Sequence, residues 1–409
     1  MTGRHTGRVR RAGLTVAAIA SLGLVGAAAQ ASIAAHPGAG WSARGTASRA
    51  RVAANWSLAT RSRTGETAYV ANYVSGTVTP ITIATSKARH AIKVGASPSA
   101  IAITPDGKTA YVANSDSGTV TPIITATGKA EPAIPVGVTP SAMAITPDGK
   151  TAYVANSDSG TVTPVTIATG QARPAIKVGG YPSAIAITPD GKTAYVVNTD
   201  FSGTVTPITI ATNKARPAIK VGIYPDLIAI TPDGKTAYVV NTDISGVGTV
   251  TPINIVTGQA LPAIKVGGYP SAIAITPDGK TAYVTNQNSG MGTVTPINTA
   301  TGQARPAIKV GTLPDAIAIT PDGKTAYVAN RGSDTVTPII IATGKAGVAI
   351  KVGTYPEMIA ITCDGKTAYV MNDASNTVTP ITIATGKAGS AIKVGTDPDT
   401  IVIMPVSPG

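Results

Sequence analysis

The chain has one cysteine in 409 residues, so no disulfide can join two parts of it. It has three histidines. Only His90 falls in the repeated part of the sequence, so acid–base chemistry by imidazole has one candidate there and no evident partner. No histidine and cysteine cluster has metal-ligand spacing, and no Asp-x-Asp-x-Asp-Gly calcium loop occurs. Both tryptophans, Trp41 and Trp56, precede the repeats. No window shows a 3.6-residue apolar stripe, which argues against a helical solenoid. On these grounds no catalytic residue, no metal site and no cofactor is expected.

What is present is a repeat. An Ala-Tyr-Val triplet recurs at Tyr69, Tyr111, Tyr153, Tyr195, Tyr238, Tyr283, Tyr327 and Tyr369, spaced 42 to 45 residues apart. The longer units carry their extra residues in one place, the NTDFSGT, NTDISGVGT and NQNSGMGT stretches. Insertion confined to one place marks a loop. Each unit reads as four strands rich in Val, Ile, Thr and Tyr: SAIAIT, AYVAN, TVTPIT and PAIKVG. PDGK is a tight turn, because Pro presets φ, Asp bonds its own backbone and Gly accepts positive φ. Four strands per unit at this period point to a β-propeller blade.

AYVAN, preceded by TPDGKTAYV and followed by SGTVTPI, resembles the YVTN β-propeller repeat of secreted and surface-layer proteins. The resemblance spans residues 67–403, and Thr-Pro-Ile stands where that family has Val-Ile-Asp. It implies an all-β propeller and no particular activity. In such blades the strand before PDGK lies innermost, so SAIAIT is strand A, AYVAN strand B, TVTPIT strand C and PAIKVG strand D. The chain then enters at strand B and leaves at a strand A, Ile401 to Ile403, which should complete the first blade. Eight units imply eight blades; seven blades with a spare unit is the alternative. Ala54 to Thr60 is a second candidate for the closing strand. Prolines at 80, 122, 164, 207, 252, 296, 338 and 380 fall inside strand C, where a ladder hydrogen bond is lost. A bulge or an unpaired carbonyl should result.

Residues 1–31 read as an export signal. Arg4, Arg8, Arg10 and Arg11 precede the apolar run Ala12 to Ala28, and Ala29-Gln30-Ala31 suits cleavage before Ser32. Residues 32–66 read as a basic, flexible linker with five arginines. The propeller is assigned to 67–409. Secretion or retention at the cell envelope follows as the expected location, with a monomer and no transmembrane segment in the mature chain.

The formal charge of +13 is concentrated in the first 66 residues. The propeller keeps 24 basic and 19 acidic residues. Strand topology puts the C–D turns, with Lys129, Arg173, Arg216 and others, on one face. The B–C loops, with Asp116, Asp158 and others, share the opposite face with the D–A loops. One basic and one acidic face are expected. The middle of strand D is Lys or Pro in every unit, residues that discourage pairing at an exposed sheet edge.

Comparing the units with each other singles out the D–A loop. The residues flanking its proline vary most, and they should ring the channel mouth. Tyr181, Tyr224, Asp226, Tyr269, Asp315, Tyr355, Glu357 and Asp399 form the candidate ligand site. Aromatics beside carboxylates suit a cation, a sugar or a basic peptide. The triplet tyrosines are read as packing between blades. Cys363, standing where other units have the Pro of PDGK, is read as a drifted turn residue. The expected function is a non-enzymatic binding or scaffolding module whose partner is a protein, a glycan or an anionic envelope polymer. Nucleic acid is disfavoured, because no aromatics interleave with the basic residues. A lactonase-type hydrolase on the same scaffold is the alternative. Quinoprotein dehydrogenases are disfavoured, because their docking tryptophans are missing.

Overall fold

The computed structural model describes residues 29–34, 49–54 and 66–404, apart from 244 and 289. Residues 66–404 form eight antiparallel sheets arranged as the blades of a closed propeller. Blade 2 shows the pattern. Strand A is Pro98–Ile103, strand B Thr109–Asn114 and strand C Thr119–Ile124. Strand D comes in two pieces, Lys129–Ala130 and Ile134–Pro135. Blade 1 is completed from the far end of the chain: Pro398–Ile403 pairs with Thr67–Asn72, placing Ile403 opposite Ala68 and Ile401 opposite Val70. The inner position of blade 1 is thereby filled. Of the other candidate for it, Ala54 to Thr60, all but Ala54 lies outside the described residues, as does the proposed export signal up to residue 28.

Two strands precede the ring, Ala29–Ala34 and Arg49–Ala54. They pair antiparallel, and Gln30 lies opposite Ala229 on strand A of blade 5, Pro225–Ile230. This departs from a linker without strands. An innermost strand has one edge turned to the channel, and a further strand can satisfy it.

The split in strand D resolves the proline question. Tyr111 stands opposite Pro122 with strands B and C in unbroken register. The carbonyl of Pro122 accepts from the Glu131 amide at 2.8 Å, so the proline's polar edge faces strand D. The missing N–H is missing toward D, and D leaves the ladder between its two pieces. The same contact recurs from Arg89 onto Pro80, at 2.8 Å, through to Gly389 onto Pro380, at 2.7 Å. The disruption stays on the outermost strand.

The repeat motifs are hydrogen-bonding devices. In TPDGK, Thr104 Oγ1 donates to Asp106 Oδ1 at 2.6 Å, the Lys108 amide donates to the same oxygen at 3.0 Å, and Gly107 takes φ +71°. The Asn of AYVAN is a buried knot. Asn156 Nδ2 donates to Thr161 and Thr163 at 3.2 and 2.9 Å, and its Oδ1 accepts the Gly137 amide at 3.1 Å. A Cβ on Gly137 would sit 2.6 Å from the Asn156 Cγ, so that glycine is required by close approach. The triplet tyrosines are buried between blades, as expected, and reach the neighbouring blade. Tyr153 Oη donates to Asn213 Oδ1 at 2.6 Å, and Tyr238 Oη to the Thr299 carbonyl at 3.1 Å. Burial pushes the Tyr153 and Tyr238 phenols up to about 12.

Cys363 does more than fill a turn. Its amide, which Pro could not supply, donates to Glu66 Oε1 at 3.4 Å. Glu66 stands where the other units have the Lys of DGK. Both departures meet at the seam between the last blade and the first. Glu66 is buried. Desolvation pushes its carboxyl above the ordinary glutamate value, against the bond from the Cys363 amide.

Candidate functional site at the channel mouth

The D–A loops and B–C loops meet on one face and fasten to each other. The Asp116 carboxylate accepts from Ser97 Oγ at 2.7 Å, Asp158 accepts from Thr139 Oγ1 at 2.7 Å, and Asp334 accepts the Tyr355 amide at 2.9 Å. These three B–C loop acids therefore anchor the neighbouring D–A loop.

The residue before the D–A proline has positive φ in every blade: Ser97, Thr139, Tyr181, Tyr224, Tyr269, Leu313, Tyr355 and Asp397, between 45° and 57°. A non-glycine residue enters this region only when its surroundings impose it, and the following proline adds a steric restriction. The turn itself is constant. The side chain it presents is not.

The residue after the proline has the opposite fate. It is a bulge on strand A: Pro98 pairs with Asn114 and Ala100 with Ala113, leaving Ser99 as the extra residue. The same shift occurs in every blade. The bulge turns this side chain toward the next blade. Ser99 Oγ donates to the Pro140 carbonyl at 2.8 Å, and Ser141 Oγ to the Pro182 carbonyl at 2.9 Å.

The candidate residues thus divide into two groups. Asp226, Asp315, Glu357 and Asp399 occupy bulge positions and are 7%, 0%, 0% and 2% exposed. They lie between blades, so the negative surface expected of them is not formed. Asp315 Oδ1 accepts from Gln287 Nε2 at 3.2 Å, and Glu357 pairs with Arg331 Nε at 3.1 Å. Gln287 and Arg331 each follow the Asn of strand B in the preceding blade, so this is one seam contact written twice. A buried carboxylate held this way is a structural group first.

The tyrosines face outward. Tyr181 is 50% exposed and Tyr355 44%. Tyr224 and Tyr269 are half-buried by neighbouring loops. The Arg331 guanidinium lies over the Tyr355 ring, 4.8 Å from its centroid, while it pairs with Glu357. The Tyr224 ring is 4.9 Å from Phe201. Phe201, the chain's single phenylalanine, was not among the sequence candidates. Its signal was its place inside an insertion.

The other face carries Lys129, Arg173, Arg216 and the remaining C–D basic residues, all exposed, and His90 lies exposed beyond it. Lysines of strand D, such as Lys177 opposite Thr161, are exposed on the outer edge. Among the described residues no group of three or more His, Cys, Asp or Glu could hold a metal ion, and no helix is long and apolar enough to cross a membrane.

A family model described as "Lactonase, 7-bladed beta-propeller" matches residues 306–398, a span from the end of blade 6 into the closing strand. Hydrazine synthase of Kuenenia stuttgartiensis shares 29% identity and a TM-score of 0.59, covering 69% of this chain and 95% of that one. The dihydro-heme d1 dehydrogenase NirN shares 15% identity and a TM-score of 0.69, covering 82% of this chain and 75% of that one. Apo AztD of Citrobacter koseri shares 15% identity and a TM-score of 0.58, covering 83% and 97%. No curated protein matches the sequence. The likenesses place the chain among β-propellers.

Proposed function

We propose that this chain is an exported, non-enzymatic β-propeller that binds a partner through the face formed by its B–C and D–A loops. One observation carries the reading: eight identical strained turns at the mouth present different side chains, and Tyr181 and Tyr355 stand exposed there. A rigid scaffold with a variable rim is the arrangement that recognition uses. The basic, then apolar, N-terminal residues support a location outside the cytoplasm. The test is capture from envelope extract on the immobilised chain, in parallel with Tyr181→Ser/Tyr355→Ser. Loss of the captured partner in the double variant, and its retention in Lys129→Ser on the opposite face, is the expected result. Equal capture by all three chains would overturn the choice of face.

The lactonase match over 306–398 favours a second reading, hydrolysis of a lactone. Asp315 and Glu357 lie within that span. Their burial between blades speaks against their reaching a substrate. A lactone assay with divalent metals decides: turnover abolished by Asp315→Asn or Glu357→Gln, in proteins that remain folded, would replace the binding reading.

A further inference from the structure

We propose that the sector of this face over blades 4, 5 and 6 docks a cationic peptide segment with apolar side chains, carried by another protein. This rests on the binding reading above and narrows it to one sector and one partner chemistry.

The repeat lengthens in three B–C loops, and they are neighbours: 198–204 in blade 4, 241–249 in blade 5 and 286–293 in blade 6. Each insertion brings an apolar side chain to the surface. Phe201 is 73% exposed, Val247 49% and Met291 60%. Of the uninserted loops, those of blades 2, 3, 7 and 8 have no such residue, and that of blade 1 has one, Val74. Apolar tips added where the scaffold already closes do nothing for the core.

Contacts between loops make the sector continuous. Phe201 packs on Tyr224 of the next D–A loop. The Tyr269 amide donates to the Gly246 carbonyl at 2.9 Å, and the Asn288 amide to Gly268 at 3.0 Å.

Charge selects the partner. Within these three B–C loops and the D–A loops beside them, the surface charges are Asp200 and Asp243, with no lysine or arginine. Ser202 Oγ and two amides hydrogen-bond the Asp200 carboxylate, and Ser245 Oγ donates to Asp243 at 2.6 Å. Those donors are neutral and bring no compensating positive charge. Phe, Val and Met tips offer no hydrogen bonds to a sugar. They suit apolar side chains, and the two aspartates attract basic ones.

The test uses the full chain and a fluorescent Lys/Leu amphipathic peptide, with a Glu/Leu peptide of the same pattern as the charge control. The Lys/Leu peptide should bind, more weakly as salt rises. Phe201→Ser/Val247→Ser/Met291→Ser should weaken it roughly tenfold or more, with an unchanged melting temperature because all three tips are exposed. Val256→Ser/Ile340→Ser on the opposite face should leave it unchanged. Unchanged affinity in the triple variant, or equal binding of the Glu/Leu peptide, would overturn the inference. So would light scattering that showed the native chain stacking on itself and the triple variant monomeric. If the Lys/Leu peptide fails to bind while capture from extract persists, this inference falls and the binding reading stands.

Discussion

Asn156→Ala removes the knot that ties strands B and C of blade 3 to the D–A loop arriving from blade 2. Asn156 is fully buried, and its side chain makes three hydrogen bonds, to the Gly137 amide, Thr161 Oγ1 and Thr163 Oγ1. Alanine leaves the Gly137 amide without its acceptor, at about 1–3 kcal/mol. The two hydroxyl contacts and the vacated volume add about 2 kcal/mol more. The total is about 3–5 kcal/mol. For a ring running from Thr67 to Ile403, the unfolding entropy is about 0.7 kcal/mol per kelvin. The melting temperature should fall by about 4–7 °C by scanning calorimetry. Asn198→Ala in blade 4 should cost less, because the Asn198 Oδ1 has no hydrogen-bond partner among the described residues. A fall under about 1 °C for Asn156→Ala, or equal falls for the two, would refute the reasoning.

Other perturbations follow from the same contacts. Tyr153→Phe should cost about 1 kcal/mol by urea denaturation, because it loses the bond to Asn213 and keeps the packing. Glu66→Gln tests the seam. Desolvation raises the Glu66 carboxyl, so its contribution is complete below the ordinary glutamate value and is lost as pH rises through the folded value. The melting temperature of the native chain relative to Glu66→Gln should therefore decline as pH rises above the ordinary glutamate value. Asp148→Asn should behave oppositely. Desolvation pushes that carboxyl up, but the bonds from Thr146 and Lys150 and the Lys150 charge outweigh it and hold it below the usual value. Its stabilisation is present at neutral pH and lost in acid, so the native chain's advantage over Asp148→Asn should shrink as pH falls below about 4.

Blade number, strand order and ring closure were legible because the repeat states them eight times. Tyr153 and PDGK read correctly for the same reason: each is a local device with a mechanism. The strand C prolines announced a broken ladder, and only the register showed that strand D absorbs the break. Asp315 and Glu357 were placed at the surface because they adjoin a turn. A one-residue bulge reverses which way a side chain points, and nothing in the residues themselves marks it. The Glu66–Cys363 contact was also hidden, since its partners lie at opposite ends of the repeat. Each departs from the template alone, and the two become a pair only once the ring closes. Phe201 was visible as part of an insertion, but its exposure beside Tyr224 needed coordinates.

Hydrogen exchange on the intact chain tests the ring most directly. If residues 398–403 complete blade 1 beside Tyr69, the amides of Ile401 to Ile403 should exchange as slowly as those of Ile185 to Ile187 in the unbroken blade 4. Exchange at the rate of a free tail would show that the two ends do not meet.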